Sequence, residues 1–246
     1  MANERLRSTI VAAGKSLGDL ADEVGVDPKT IERWITLDRV PHRRNRFAVA
    51  RALGTSEEYL WPDAARSEAA TKGEFVTFYP HRGAVPGNLW FNLATRTVDA
   101  IDILVYAGLF LWDGGPDLPT VIRKRAEEGT AVRLLLGNPD SDAVARRGEE
   151  EGIDEGMAAR IRISLAYLKE TTLGTPGLEL RLHSTTLYNS IYRFDGDVLV
   201  NAHVYGAGAA HNPVMHFRSL PGGRMVRHYL SSFDRVWASA IPFRPA

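Results

Sequence analysis

The pattern of hydrophobic and polar residues changes once along the chain, near residue 75. The first 60 residues are rich in helix formers and are broken only at short segments that contain glycine or proline. From Phe75 onward, apolar runs of strand length alternate with helical patterns. We therefore predict a helical domain over residues 1–62, a linker or short connecting helix over 63–74 and a second domain over 75–246.

The second domain is predicted to be an α/β structure with a mixed, largely parallel sheet that is flanked by helices. Alternation of apolar strands and helices is typical of that arrangement. Buried strands are predicted at 101–110 and 131–137, further strands at 178–183 and 213–219, and helices at 117–129, 141–172 and 222–240. Two further alternating runs flank an Asp-Gly pair at 195–196, which predicts a β-hairpin.

Composition and charge exclude a few classes of function. The chain has 246 residues, a formal net charge of zero and no cysteine, which excludes disulfides, thiol catalysis and cysteine-ligated zinc. Any role on nucleic acid must therefore depend on a local basic patch. The sequence has no apolar run long enough to span a bilayer and no apolar signal core at its start. We expect a cytoplasmic protein without a membrane partner.

The segment from residue 17 to residue 36 has the pattern of two short helices joined by a tight turn. The first, LGDLADEV, ends at Gly25, and Asp27 followed by Pro28 is typical of the start of the next helix. The second helix has apolar residues to bury on one face and leaves a polar face near its start. Around it, residues 29–51 contain seven lysines and arginines against two acidic residues. A basic cluster on an exposed helix is typical of proteins that bind the DNA backbone.

The runs LADEVGVDPKTIERWITLDRVP and AVARALGTSEEYLW resemble the Cro/repressor-like helix-turn-helix family, also called the xenobiotic-response-element family. The resemblance implies a five-helix fold whose third helix enters the major groove of double-stranded DNA. The side chains then expected to contact bases are Lys29, Thr30 and Arg33. Those expected to contact phosphates are Arg39, Arg43 and Arg44. The alternative is that these residues only solvate a small helical bundle.

The predicted hairpin has one apolar face and one polar face. Counting outward from Asp195 and Gly196 places Tyr188 opposite His203 and Ser190 opposite Asn201. Polar groups on a buried sheet need partners, and a cluster of this size favours a pocket. The residues predicted to line that ligand pocket are Tyr188, Ser190, Asn201, His203 and Tyr205, with Trp112 from the carboxyl end of the first strand.

The order of elements over about residues 85–240 resembles one half of the phospholipase D superfamily, as does the run DLPTVIRKRAEEGTAVRLLL. Members of that superfamily carry H-x-K-x(4)-D on a hairpin strand, with the histidine as nucleophile and the lysine on phosphate. Single-copy members pair as homodimers to complete a site. The resemblance therefore implies a homodimer here, which agrees with the habit of helix-turn-helix proteins.

The superfamily motif is incomplete in this sequence. With its aspartate placed on Asp195, Tyr188 takes the histidine position and Ser190 takes the lysine position. A second register that starts at His183 puts Thr185 at the lysine position and Ser190 at the aspartate position. Neither register keeps histidine and lysine together, so the resemblance implies a degenerate domain that has lost its nucleophile.

These observations favour a homodimeric, DNA-binding transcription regulator that is not an enzyme and whose second domain binds a small polar effector. Two alternatives stay open: a DNA-targeted phosphodiesterase or nuclease with an atypical His/Tyr site, and a purely architectural DNA-binding dimer. We expect no cofactor and no metal, because the spacing of His203, His211 and His216 matches no compact zinc motif.

Overall fold

The computed structural model describes residues 2–113, 118–172 and 174–244. The chain divides into two compact units, Met1–Lys72 and Gly73–Ala246. Residues 114–117, which include the predicted start of the helix at 117, lie outside the described residues.

The first unit is helical. Its helices are α1 (Glu4–Ala12), α2 (Leu17–Val24), α3 (Pro28–Thr36), α4 (Arg43–Ala52), α5 (Glu57–Leu60) and α6 (Pro62–Gly73). The segment predicted as a linker or short connecting helix is thus the helix α6. The core of the unit is formed by Leu6, Leu20, Ile31, Trp34, Val49, Leu60 and their neighbours.

Local sequence signals set the boundaries of α2 and α3. Ser16 and Asp19 form a capping box at the start of α2, and Gly25 ends that helix in the left-handed conformation, with a φ of 75°. Asp27 then accepts a hydrogen bond from the Lys29 amide at 2.8 Å and caps α3, where Pro28 fills the first position. The three residues between the helices therefore form the tight turn that the sequence predicts.

The second unit is a mixed α/β structure. Its strands are β1 (Phe75–Tyr79), β2 (Ala100–Leu104), β3 (Ala131–Gly137), β4 (Leu178–His183), β5 (Asn189–Phe194), β6 (Asp197–Ala202), β7 (Val214–Arg218) and β8 (Ile241–Pro242). Its helices are α7 (Gly87–Arg96), α8 (Leu118–Glu127), α9 (Asp142–Glu150), α10 (Gly156–Thr172) and α11 (Met225–Ser239). The strands form one sheet in the order β1-β7-β6-β5-β2-β3-β4-β8.

The prediction of a largely parallel sheet is wrong. Within the described residues, only the pairs β2–β3 and β3–β4 are parallel, and the other five pairs of neighbouring strands are antiparallel. The sequence could not show this, because an apolar run buried on both faces looks the same whichever direction its neighbours take. The predicted first strand is also shorter, since the chain leaves the sheet after Leu104 and bends at Gly108, with a φ of 65°.

The register predicted for the hairpin β5–β6 is confirmed. Ser190 pairs with Asn201, Tyr192 with Leu199 and Phe194 with Asp197. The turn is tied to the start of β2, because the Asp195 carboxylate accepts three backbone hydrogen bonds of 2.8–2.9 Å from residues 98–100. The aspartate that the superfamily resemblance placed in a catalytic motif therefore has a structural task at the turn.

Helices cover both faces of the sheet. On one face the Trp90 ring of α7 packs edge-on against Tyr192 of β5, with centroids 4.9 Å apart. On the other face Tyr229 of α11 packs against Phe217 of β7 at 5.7 Å. Within the described residues, no helix combines the length and the apolar character needed to cross a membrane.

A buried carboxylate lies in the middle of the sheet. Asp102 of β2 is fully buried and accepts hydrogen bonds from Arg133 of β3 at 2.7 and 3.0 Å and from Arg193 of β5 at 2.9 Å. Both arginines are its register partners, one across the parallel pair and one across the antiparallel pair. Arg133 also reaches Asp234 of α11 at 2.9 Å. One acid thus links three strands and, through Arg133, a helix.

We expect Asp102→Asn to lower the free energy of unfolding of the full chain by about 3–5 kcal/mol, because it leaves two partly buried guanidinium groups without their shared counter-charge. Urea unfolding followed by circular dichroism measures this loss. Asp234→Asn, on the exposed side of the same network, is the matched control and should cost less than about 1 kcal/mol. Equal losses in the two variants would contradict the central role of Asp102.

Candidate functional site

The first candidate site is the basic surface of the first unit, formed by α3 and the segment that leads into α4. Ile31, Trp34 and Ile35 are buried and fix the orientation of α3. The opposite face of α3 and the following segment are then left to solvent. On that surface the side chains of Lys29, Arg33, Arg39, Arg43 and Arg44 are exposed, and Thr30 is half-buried.

These predicted DNA-contacting cations have no carboxylate partner among the residues that the structure describes. The salt bridges of the first unit use other cations, namely Arg7, Lys15, Arg46 and Arg66. Arg46, which counts toward the basic cluster in the sequence, is buried and bonded to Glu57 at 3.2 Å and to Glu68. It stabilises the unit and is not part of the surface.

The start of α4 adds to the positive surface. His42 at its N-cap makes no side-chain capping bond, and the first turn contains no acid but two arginines, Arg43 and Arg44. Cations at a helix N-terminus oppose the helix dipole and cost stability. The same arrangement of free amides and cations is favourable for a bound anion such as a phosphate.

The second candidate site is a cavity of about 570 Å³ in the second unit. It lies at the end of the sheet opposite the hairpin turn, where the chain leaves β2 and where β5 begins. Its walls come from the segment 105–110, from Ser190 and Tyr192 of β5, from the loop 208–211, from three side chains between Ile153 and Arg160 and from Arg82. The loop 207–213 therefore borders the cavity.

His203 and Ser190 form a hydrogen-bonded pair on the cavity wall. The distance from Ser190 Oγ to His203 Nε2 is 3.0 Å, and His203 Nδ1 lies 3.2 Å from the carbonyl oxygen of Leu187. A carbonyl only accepts, so Nδ1 carries the proton of the neutral ring. Nε2 is then the acceptor, and the Ser190 hydroxyl donates to it.

Burial, followed by the positive charge of Arg147, lowers the pKa of His203 from 6.5 to about 4. The imidazole is therefore neutral at physiological pH. Its ring stacks on that of Tyr106, with centroids 5.7 Å apart. The Tyr106 hydroxyl accepts a hydrogen bond from the Leu187 amide at 3.0 Å, so Tyr106 and His203 hold the same stretch of backbone from two sides.

Arg82 brings positive charge to the same wall. Its guanidinium lies 4.0 Å from the centroid of the Phe110 ring, a cation–π contact. The buried Tyr192 lies next to both Arg82 and Ser190: burial raises the pKa of Tyr192, and the polar groups of Arg82 and Ser190 act against that rise. Arg82, Tyr192, Ser190 and His203 are thus neighbours on one wall.

Arg147 and Glu151 hold the loop that closes the cavity. Arg147 is buried in α9 and bonds Glu151 at 2.7 Å and the carbonyl oxygen of Ala207 at 2.9 Å. The acid of this pair lines the cavity, but its charge is already compensated by Arg147. The pair therefore fixes the loop and leaves little free negative charge in the wall.

Only two of the six residues predicted for the pocket lie on this wall, Ser190 and His203. Tyr188 and Tyr205 are 81% and 83% exposed, and neither lines the cavity. The last residue pair of β5 and β6 is Asn189 with Ala202. Beyond this pair the strict alternation of side chains between the two faces of the hairpin no longer applies. The proposed Tyr188–His203 pair is joined only by a backbone bond of 2.9 Å.

Asn201 and Trp112 do not line the cavity. Asn201 is buried, and its side-chain amide donates to the carbonyl oxygens of Asn212 and Pro213 at 3.2 and 3.1 Å. Trp112 is buried in the core and does not line the cavity, whereas Asp113 does line it.

The histidine that starts the second motif register is also structural. His183 is buried and its Nε2 lies 3.0 Å from the carbonyl oxygen of Val105, while Nδ1 accepts from the Thr185 amide at 3.3 Å. Burial lowers its pKa. Within the part of the chain that the structure describes, no three histidine or acidic residues are grouped as metal ligands.

The sequence did not single out several residues of the cavity wall. They are Arg82, Tyr106, Phe110, Glu151 and Arg160. Tyr106 could have been suspected, since a tyrosine at the end of an apolar strand carries a hydroxyl that needs a partner. The other four lie on separate elements, and no spacing in the sequence connects them.

The fold and the site together define a class: a chain with a basic helical unit followed by a mixed α/β unit that carries a polar cavity. The chain belongs to the family described as a domain of unknown function (DUF5919), whose model matches residues 78–228. That segment contains the whole wall of the cavity. No curated protein matches the chain.

Two solved structures are similar to the chain but differ widely from it in sequence. TrmBL2, an archaeal chromatin protein whose structure shows a novel mode of DNA binding, is 17% identical with a TM-score of 0.43, over 87% of this chain and 69% of that one. Nuc, a phospholipase D family member from Salmonella typhimurium, is 15% identical with a TM-score of 0.38, over 64% and 90%. Scores this low do not establish a shared fold.

We expect the stability of the second unit to fall as the pH drops from about 6.5 toward about 4, because the unfolded chain takes up the His203 proton first. The loss should approach about 3 kcal/mol near pH 4. Urea unfolding at a series of pH values gives the free energy of unfolding as a function of pH. Between pH 6.5 and pH 4 this free energy should fall less steeply for His203→Gln than for the wild type. The exposed His228 provides the control, since His228→Gln should keep the wild-type slope. An unchanged slope in His203→Gln would show that another group carries the effect.

Proposed function

We propose that this chain is a homodimeric DNA-binding transcription regulator whose second unit binds a small polar effector. The observation that carries the DNA-binding part is the surface of α3 and α4. Five cations are exposed there and have no carboxylate partner among the described residues, in a chain whose net charge is zero. Unpaired cations on a rigid helical surface are what counterion release from DNA requires.

The arrangement of α2 and α3 supports the same proposal. The tight turn and the buried face of α3 leave Lys29 and Arg33 exposed at its start, which is where a helix in the major groove contacts base edges. Arg39, Arg43 and Arg44 follow at positions suited to phosphate contacts. Homodimerisation is part of the proposal because two such helices can read two half-sites. Sedimentation equilibrium of the full chain tests it.

The effector part of the proposal rests on the cavity. It combines a volume typical of small-molecule sites with polar groups on a rigid sheet and a wall closed by loops. We favour this part over the alternative of a phosphodiesterase with a His/Tyr site, because Tyr188 is exposed and His203 bonds Ser190 instead. We therefore propose binding without turnover.

We expect the full chain to bind a mixed-sequence DNA duplex with an affinity that falls steeply as salt is added. Replacing Arg39, Arg43 and Arg44 together by glutamine should reduce the slope of log K against log salt by about 2 to 3, since each phosphate contact contributes about 0.9. Fluorescence anisotropy at several salt concentrations measures the slope.

The charge-matched control for that experiment changes three exposed arginines of the second unit, Arg146, Arg224 and Arg235, to glutamine. This control should keep the wild-type slope. A reduction of the same size in both triple variants would mean that overall charge, and not the surface of α3 and α4, determines DNA binding.

We expect no hydrolysis of bis(p-nitrophenyl) phosphate by the full chain above the rate of its His203→Gln variant. A phosphodiesterase needs an activated nucleophile and cationic stabilisation of the phosphoryl oxygens. Here the position that the superfamily gives to its histidine nucleophile is held by Tyr188, which is exposed and outside the cavity, and the hairpin carries no lysine. Absorbance of released nitrophenolate is the measurement. Turnover that disappears in His203→Gln but persists in His228→Gln would overturn the non-catalytic assignment.

A further inference from the structure

We propose that the effector of the second unit is a small organic acid, with one anionic group bound by Arg82 and an apolar or aromatic body packed against the rings beside it. This inference rests on the proposed function, because it takes the cavity as a ligand site. It adds the chemical class of the ligand and the residue that recognises its charge.

Arg82 is a positioned cation with spare donors. Its guanidinium is half-buried and lies over the Phe110 ring, which fixes its plane. Among the described residues of the second unit, no carboxylate forms a salt bridge with it. A guanidinium has five N–H donors, so groups remain for a bidentate contact with an anion.

The acids in the cavity wall do not neutralise Arg82. Glu151 is engaged by Arg147 at 2.7 Å. Asp113 is exposed and forms no salt bridge with either arginine of the wall, Arg82 or Arg160. His203 adds no charge, because burial and Arg147 lower its pKa to about 4. A cation that is held in place and lacks a counter-charge is the feature that selects an anion.

The surroundings of Arg82 select the rest of the ligand. A second cavity of about 530 Å³ adjoins the first, and Arg82 and Phe110 line both. The walls of this second cavity include the rings of Trp90 and Phe91 and the side chains of Val85 and Leu111. A molecule with its anionic group on Arg82 therefore has aromatic and aliphatic surface on either side. A bare inorganic anion would leave that apolar surface unused.

The test uses the full chain and two fluorescent probes that differ by one charged group: anilinonaphthalene sulfonate and its uncharged parent, phenylnaphthylamine. We expect saturable binding of the sulfonate. The variant Arg82→Met should weaken it by about tenfold or more, because a charge-assisted hydrogen-bond pair is lost. The same variant should change the affinity for phenylnaphthylamine less than about twofold, because methionine keeps the apolar stem.

Two further variants separate charge from packing. Arg82→Lys keeps the charge and should recover part of the affinity that Arg82→Met loses. Arg235→Met, at an exposed arginine of α11 that does not line the cavity, should leave both probes unaffected. In a competition experiment, benzoate should displace the sulfonate more effectively than inorganic phosphate does. The inference is overturned if the sulfonate does not bind saturably, if Arg82→Met weakens both probes equally, or if phosphate competes as well as benzoate.

The outcome can be separated from the outcome for DNA binding. The probe titrations contain no DNA and involve no residue of the first unit. If the sulfonate does not bind, the result on the salt dependence of DNA binding still stands. Conversely, a chain that does not bind DNA could still show selective, Arg82-dependent binding of the sulfonate.

Discussion

The second unit is organised around the Asp102 carboxylate, which lies where the parallel and antiparallel parts of the sheet meet. A buried charge is stable only with partners, and its partners, Arg133 and Arg193, are the residues directly across from it in the two neighbouring strands. A slip of one residue in either pair would turn an arginine to the other face and leave the acid alone. The ion cluster therefore specifies register as well as stability. Arg133 also donates a hydrogen bond to Asp234 of α11, so the cluster connects that helix to the sheet.

This constraint also positions the cavity. With β2 and β5 locked in register, the last residues of β2 and the first residues of β5 meet at one end of the sheet. There Ser190 faces the chain that bends away at Gly108. The turn at Asp195 is held to the opposite end of β2, so the hairpin has little freedom to move along its neighbour. His203 and Ser190 thus belong to the rigid part of the site. Arg82 and the loop 207–213 lie in connections, where side-chain contacts and not strand pairing hold them.

How much of this the sequence could predict depends on the range of each signal. The register of β5–β6 follows from the two turn residues, and the caps of α2 and α3 follow from Ser16 and Asp27, because those interactions are local. Whether neighbouring strands are parallel or antiparallel depends on which strand lies beside β2, and no local pattern encodes that. Tyr188 and Tyr205 were predicted for the pocket by extending the alternation past the last strand pair, and they are exposed and do not line this cavity. Arg82 and Arg160 were missed because the cavity collects single residues from distant segments.

Although the net charge is zero, the arginines fall into two groups with different roles. Arg46, Arg133, Arg147 and Arg193 are partly or fully buried and bound to acids, so they stabilise the two units. The unpaired cations that remain include those on α3 and α4 and the pair Arg82 and Arg160 at the cavity. An acid bound at Arg82 can change DNA affinity only if it binds one arrangement of the protein more tightly than another. Because the sheet side of the cavity is fixed by the Asp102 cluster, any such preference has to come from the parts of the wall outside the sheet, which include the loop that carries Arg82 and the loop 207–213. Coupling, if measured, should therefore be sensitive to these two loops and insensitive to the hairpin turn.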